Sequence, residues 1–315
     1  MSPCVAVLMD PIESIHVEKD SSFAMLLEAQ RRGYELLYLT QSSLAIRDAV
    51  PWAQTRILRV RDDARGWFEL DASHWRDLRA VDVILARKDP PFDAQYLYDT
   101  MVLELAQAGG ALVVNDPRAL RDANEKLFAL RFPQCIPPTL VARDAAELKR
   151  FAAEHEKIVL KPLDGMGGRS IFVSARGDPN LNVILETLTD NGRQFAMAQR
   201  YLPEIRDGDK RILLIDGEAV PYALARMPQG DEVRGNLARG GKGVGLPLTE
   251  RERWIAHELG PELRARGMLF VGLDVIGGFL TEVNVTSPTC IRELDAQFGL
   301  NIAGQLFDVI QAKCR

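Results

Sequence analysis

Two hydrophobic periods share the first hundred or so residues. Apolar runs that suit buried strands recur as VAVLMD (5–10), LLYLT (36–40), VDVILARK (81–88) and ALVVND (111–116). DSSFAMLLEAQRRG (20–33) instead predicts a helix, with Asp20, Ser21 or Ser22 as cap candidates and Gly33 as terminator. A second helical pattern at 93–108 stops at Gly109-Gly110. Alternating strands and helices predict an α/β unit on a parallel sheet. Ligands of such sheets gather beyond the carboxyl ends of the strands, where this chain carries Asp10 and Arg87-Lys88-Asp89.

The pattern changes from Lys126, after PRALRDANE (117–125), whose turn-type residues read as a link. A helix at 144–154, strands at 158–163 and 170–174, a helix at 180–190 and a strand at 196–202 predict a small α+β unit with antiparallel pairing. In KRILLIDGEAVPYALARM (210–227), Asp216-Gly217 lies between alternating apolar runs and predicts a hairpin. A helix at 250–266, the pair LFVGLDVI and FLTEVNV around Gly277-Gly278, and a helix at 301–313 complete a third unit. The expected division is therefore 1–122, 123–202 and 203–315.

Two segments between these elements are candidates for chemistry. LKPLDGMGGRS (160–170) follows an apolar strand, but Lys161 precedes the glycines and the residues beyond them are strand-like, so the phosphate loop that opens a helix does not apply. Glycines in a strand-to-strand loop still accept the positive φ angles with which backbone N–H groups cradle an anion; the other reading is a plain hairpin turn with a surface lysine. PQGDEVRGNLARGGKG, between Met227 and Val244, is long, polar and glycine-rich, and carries Arg234, Arg239 and Lys242. It reads either as a mobile surface loop or as a lid over 227–244 that closes cations over an anionic substrate and excludes water.

Composition narrows the class. The 315 residues are 47% hydrophobic with a net charge of −5, enough for about two or three packed domains. No block of lysine and arginine stands out, which argues against nucleic acid as a partner. Cys4, Cys135, Cys290 and Cys314 form no paired framework, and the scattered histidines His16, His74, His155 and His257 make no zinc pattern. With no basic leader and no run long enough to span a bilayer, the expected location is cytoplasmic and no membrane partner is expected.

Carboxylates in apolar strands supply the next signal. Asp274, Glu282 and Asn284 interrupt the last hairpin, where buried polar groups are costly unless paired or bound to a cation. Residues 282 and 284 share a face, and Asp274 joins them if the turn is a three-residue loop, 277–279. Three hard oxygen donors suit Mg²⁺. Lys126, Lys161, Arg211 and Arg226 add the positive charge that phosphoryl transfer requires. Asp209 reads either as an acceptor for ribose hydroxyls or as a turn residue.

The succession of MDP, RKDPPFD, NEKLF, LKPLDGMGG, QRYLPEIRDGDKR, RGNLARGGKG and LTEVNVTSPTCIRE resembles the bacterial glutathione synthetase family of ATP-grasp ligases over essentially the whole chain. The resemblance implies an ATP-grasp fold, part α/β and part α+β, preceded by a parallel-sheet domain that binds substrate. It implies ligation of γ-L-glutamyl-L-cysteine to glycine with ATP, through an acyl phosphate at the cysteinyl carboxylate. It assigns Lys126, Lys161, Gly165, Gly167 and Gly168 to the nucleotide phosphates, Gln199, Tyr201 and Leu202 to adenine, and Asp209 to ribose. Asp274, Glu282 and Asn284 would hold Mg²⁺, with Mn²⁺ as an alternative, and Arg211 and Arg226 would lie near the transferring phosphoryl. Arg87, Ser287 and Thr289 would bind the dipeptide while Arg234 and Asn236 of the lid close over the reacting carboxylate. A homo-oligomer, commonly a tetramer, is implied as well. Two competing readings are another ligase of this fold, such as a dipeptide ligase, and a nucleotide-binding scaffold without turnover.

Overall fold

The computed structural model describes residues 3–227 and 242–314, with the side chain of Lys242 outside the description. Three sheets follow one another along the chain. The first contains β1 (Cys4–Met9), β2 (Glu35–Leu39), β3 (Leu44–Arg47), β4 (Val50–Val60), β5 (Phe68–Asp77), β6 (Val83–Arg87) and β7 (Leu112–Val114). Strands β2, β1, β6 and β7 are parallel neighbours, as their unbroken apolar runs predict. Beyond β2 the sheet turns antiparallel through β4, which pairs with β2, β3 and β5. The sequence reading left this extension out. Its outer strand FELDASHWRD is largely polar and half-exposed, so it offers no apolar period to detect.

Helix α1 (Ser21–Arg31) starts where Asp20 accepts the Phe23 N–H at 2.6 Å, which selects Asp20 among the three cap candidates. Helix α2 (Ala94–Ala108) is capped in the same way by Asp93. The segment expected as a link forms a short helix, α3 (Pro117–Asp122), because Asp116 accepts from Arg118 and Ala119 N–H groups and Pro117 suits the first turn.

The second sheet, in the order β10-β9-β11-β8, is antiparallel: β8 (Thr139–Ala142), β9 (Lys157–Pro162), β10 (Phe172–Ala175) and β11 (Ala196–Arg200). Helices α4 (Ala145–Glu154) and α5 (Leu181–Thr189) cover it, and Leu148, Leu160, Leu185, Leu188 and Ala198 form a core of their own. The third sheet comprises β12 (Asp209–Ile215), β13 (Glu218–Met227), β14 (Lys242–Pro247), β15 (Phe270–Ile276) and β16 (Phe279–Asn284), with α6 (Glu250–Ala265), α7 (Ile291–Phe298) and α8 (Ile302–Lys313). Asp216 and Gly217, both at positive φ, turn β12 into β13 as predicted. A capping box of Thr249 and Glu252 starts α6.

The first and third sheets share their interiors: Leu8, Ile84 and Leu120 belong to one cluster with Ile212, Ile255 and Leu273. A buried carboxamide stitches them together, since Asn115 Nδ2 donates to Phe270 O (2.8 Å) and Val285 O (2.7 Å) while its Oδ1 accepts from Phe270 N. Among the described residues no helix is long and apolar enough to cross a membrane.

Candidate active site

The glycine-rich loop joins antiparallel β9 to β10, so the strand-to-strand reading holds. Gly167 and Gly168 take φ of +61° and +74°, a region open to glycine at little cost. Gly165 is needed for a different reason: a Cβ there would lie 2.7 Å from Pro162 Cγ. Its carbonyl accepts from Lys126 Nζ at 2.7 Å, and the same ammonium donates to Glu282 Oε1 at 2.8 Å. Lys161, buried at the end of β9, donates to Thr281 O at 3.3 Å. Neither lysine is a surface charge. Burial lowers Lys161 to about 8, whereas for Lys126 the attraction of Glu282 outweighs burial and raises it.

Strand register aligns the charged residues of the third sheet. Arg211 on β12 lies opposite Asp274 on β15, which lies opposite Glu282 on β16. The expected three-residue turn is not what produces this. Ile276 pairs with Phe279 across a two-residue turn, Gly277 and Gly278 at φ +56° and +77°. A bulge restores the alignment: Val275 pairs with Leu280 and Asp274 with Glu282, leaving Thr281 as the extra residue of β16.

Asp274 receives Arg211 through both oxygens, at 2.5 and 3.0 Å, and Arg226 at 3.0 Å. Arg226 also holds Asp209 at 2.5 Å. Burial opposes ionisation of Asp274, but the two guanidiniums outweigh it and hold the carboxyl well below the usual range. Asp209 differs, for burial pushes it up to about 6 against the pull of Arg226, and its Oδ1 is buried with no hydrogen-bond partner among the described residues. Asn284 Nδ2 reaches Gly272 O at 3.3 Å. Among the described residues no group of three His, Cys, Asp or Glu side chains converges as a metal site. The hairpin offers two carboxylates and a carboxamide facing one cavity, an all-oxygen set that fits a hard divalent cation completed by water and phosphate.

Arg87 ends β6 and is 5% exposed. Its Nε donates to Ser22 Oγ (2.9 Å) and its Nη2 to Pro288 O (2.8 Å), with the guanidinium 5.6 Å from the Phe270 ring centroid. It makes no ion pair among the described residues, and burial lowers its pKa. Ser287 Oγ donates to Arg87 O at 3.4 Å, and Thr289 Oγ1 lies 3.7 Å from Cys290 Sγ.

Sequence reasoning missed Glu125. One of its oxygens accepts from Val285 N (3.0 Å), Thr286 N (3.3 Å) and Thr286 Oγ1 (3.0 Å), anchoring the segment that carries Ser287, Pro288 and Thr289. Burial, and then the charge of Glu282, raise its pKa. The signal lay in NEKLF, where an acid beside a site lysine resembled any helix-end charge.

One cavity of about 1060 Å³ gathers these groups. Every described site candidate lines it: Arg87, Lys126, Lys161, the three glycines, Gln199, Tyr201, Leu202, Asp209, Arg211, Arg226, Asp274, Glu282, Asn284, Ser287 and Thr289. Val159, Ile171, Val173, Leu202 and Ile276 give it an apolar stretch, where Gln199 Nε2 donates to Thr139 Oγ1 at 3.0 Å. Tyr201 stacks under Lys157 Nζ at 4.2 Å. Arg234 and Asn236 fall outside the described residues.

Comparison with known proteins identifies relatives over nearly the whole chain. The sequence pattern described as the prokaryotic glutathione synthetase N-terminal domain matches residues 4–121, and that of the prokaryotic glutathione synthetase ATP-grasp domain matches residues 125–299. The chain is 64% identical to the glutathione synthetase of Xanthomonas campestris pv. campestris and 60% identical to that of Pseudomonas aeruginosa, over 99% of both chains in each case. It is 55% identical to the glutathione synthetase of Escherichia coli O6:H1, over 98% of both. Among solved structures, D-cycloserine synthetase DcsG superposes with a TM-score of 0.68 at 16% identity, covering 99% of this chain and 100% of that one. A RimK domain ATP-grasp protein from Sphaerobacter thermophilus superposes at 0.63 and 17% identity, covering 97% and 98%. These two establish the ATP-grasp fold.

Proposed function

We propose, for a chain that belongs to the prokaryotic glutathione synthetase family and so is a ligase forming glutathione at the expense of ATP, that it joins γ-L-glutamyl-L-cysteine to glycine through an acyl phosphate of the cysteinyl carboxylate. A carboxylate oxygen is a poor leaving group and phosphate a good one. The cysteinyl carboxylate attacks the γ-phosphorus of ATP and ADP departs. The amine of glycine, once deprotonated, then attacks the carbonyl carbon, and phosphate leaves carrying one of the original carboxylate oxygens.

The observation that carries this reading is the convergence of Lys126, Lys161, Arg211 and Arg226 with Asp274 and Glu282 in one cavity. Phosphoryl transfer depends on positioning and on charge neutralisation more than on covalent participation by the protein. Lys126, Lys161 and the N–H groups around Gly165, Gly167 and Gly168 bind the phosphates. Gln199, Tyr201 and Leu202 enclose adenine. The unpartnered Oδ1 of Asp209 supports its role as acceptor for ribose hydroxyls. Asp274, Glu282 and Asn284 hold the divalent metal, which neutralises phosphate charge when bound. Mg²⁺ suits the few protein donors best, with Mn²⁺ the alternative. Arg211 and Arg226 stabilise the transferring phosphoryl. Arg87, Ser287 and Thr289 take the dipeptide, and Arg87, buried without an anionic partner among the described residues, suits a substrate carboxylate. Arg234 and Asn236 close over the reacting carboxylate and keep water from the acyl phosphate.

The proposal extends to organisation. Three separate sheets support units at 1–122, 123–202 and 203–315. Tyr98, Met101 and Leu105, exposed at helical spacing on α2, support a homo-oligomer, tetrameric as in the family. Four free cysteines support a reducing, cytoplasmic setting. The test is phosphate release from ATP and a divalent metal, with γ-glutamylcysteine and glycine supplied together and then each omitted. Release that requires both, with glutathione in equal amount, is expected. Release without glycine dependence points to another amine acceptor, and no release despite bound ATP points to a scaffold.

A further inference from the structure

Among the acids that line the cavity, the mechanism above leaves the half-buried Glu293 without a task. Glu293 is the third residue of α7 and lines the cavity, and its Oε2 is buried with no hydrogen-bond partner among the described residues. A carboxylate oxygen in that state is costly unless a donor arrives from the ligand. The cations whose fields reach it are engaged or exposed: Arg292 is bound to Asp62 at 2.8 Å, Arg211 to Asp274, and Lys19 is on the surface. Burial raises the pKa of Glu293, in keeping with an acid that has no strong partner.

Arg87 is its complement, a buried cation with no ion-paired anion among the described residues, where Asp20 and Asp89 act on it only through their fields. Two adjacent buried serines join the two residues' supports. Ser22 Oγ accepts Arg87 Nε, and Ser21 Oγ accepts the N–H of Ile291 at 3.1 Å, at the start of the helix that carries Glu293. The cavity therefore presents a cation and an anion, each short of a counter-charge, anchored on neighbouring residues of α1. A ligand with a carboxylate and an ammonium on one carbon satisfies both, and the γ-glutamyl end of the dipeptide is such a group.

Resting on the function proposed above, we infer that Glu293 binds the α-ammonium of the γ-glutamyl residue while Arg87 binds the α-carboxylate beside it. Glu293 is thus a specificity residue, selecting a free amino-acid head remote from the reacting carboxylate.

The probe is glutaryl-cysteine, which lacks only the ammonium. Wild-type enzyme is expected to prefer γ-glutamylcysteine over it in kcat/KM by about 10- to 100-fold, the range of a charge-assisted buried hydrogen bond. Glu293→Gln is expected to lower kcat/KM for γ-glutamylcysteine by a similar factor, to leave glutaryl-cysteine unaffected and to keep the KM for ATP, so that the preference collapses toward one. Calorimetric ADP binding checks that the variant is folded. Should it not fold, Glu293→Asp, which keeps the charge, is expected to retain a reduced preference. Equal losses for both substrates, or an undiminished preference in the folded variant, overturn the inference while leaving the ligase intact. A wild-type enzyme that fails to turn over γ-glutamylcysteine overturns the functional reading and this inference with it.

Discussion

Asp274 grips Arg211 with both carboxylate oxygens, at 2.5 and 3.0 Å, and shares one of them with Arg226. All three side chains are buried, so each charge is tolerable only because the others are present. Replacing Asp274 by Asn leaves buried Arg211 without an ion-pair partner among the described residues and Arg226 with Asp209 alone. The expected cost is about 3–5 kcal/mol of folding stability, seen as a lower denaturant midpoint. Glu282→Gln should cost less, because its carboxylate is partly exposed and, among the described residues, pairs with Lys126 alone. Equal midpoints for the two variants would contradict this.

Arg226 bridges Asp209 and Asp274 and faces the cavity. If it stabilises the transferring phosphoryl, Arg226→Ala should lower kcat by about 10²-fold or more while ATP affinity falls by a smaller factor. Steady-state rates and equilibrium nucleotide binding measure the two losses separately. Matching losses would mean that Arg226 binds ATP without acting on the transition state.

Lys161 sets a pH dependence. Burial lowers its folded value from 10.5 to about 8, while the unfolded chain keeps the proton to about 10.4. Between these values the unfolded state binds more protons, so the penalty from Lys161 is full below about pH 8 and is relieved as pH rises through the window. Phosphates placed against the amine draw the proton back. Nucleotide binding at about pH 9 should therefore take up a proton. Calorimetry in buffers of different ionisation heat should detect it in the wild type and not in Lys161→Met.

Glu125 anchors the segment after β16 through three hydrogen bonds to one oxygen. Glu125→Ala leaves buried N–H groups at Val285 and Thr286 unsatisfied, at a cost of about 1–3 kcal/mol for each group. Because that segment carries Ser287, Pro288 and Thr289, KM for the dipeptide should rise more than KM for ATP. A rise confined to ATP would assign Glu125 to the nucleotide side.

The central site was legible because its residues violate local expectation. Asp274, Glu282 and Asn284 interrupt apolar strands, and Lys161 precedes a glycine run that opens no helix. Such departures mark where burial has been offset by function. The alignment of Asp274 with Glu282 could be expected, but its cause could not. A bulge at Thr281 leaves no compositional mark, whereas Gly277-Gly278 fits either turn length. Strand β5 was invisible because an edge strand need not be apolar, and α7 because eight residues hold barely two turns of periodicity. Glu125 and Glu293 were illegible for a third reason. Their roles depend on long-range contacts, with partners more than a hundred residues away or with a ligand, that no local pattern encodes.

The most direct test follows the oxygen. With ¹⁸O in the cysteinyl carboxylate of γ-glutamylcysteine, and ATP, divalent metal and glycine supplied, mass spectrometry of the released phosphate should find one ¹⁸O per phosphate. Transfer through an acyl phosphate requires that result. Phosphate free of ¹⁸O, with glutathione still formed, would contradict it and remove carboxylate phosphorylation from the account.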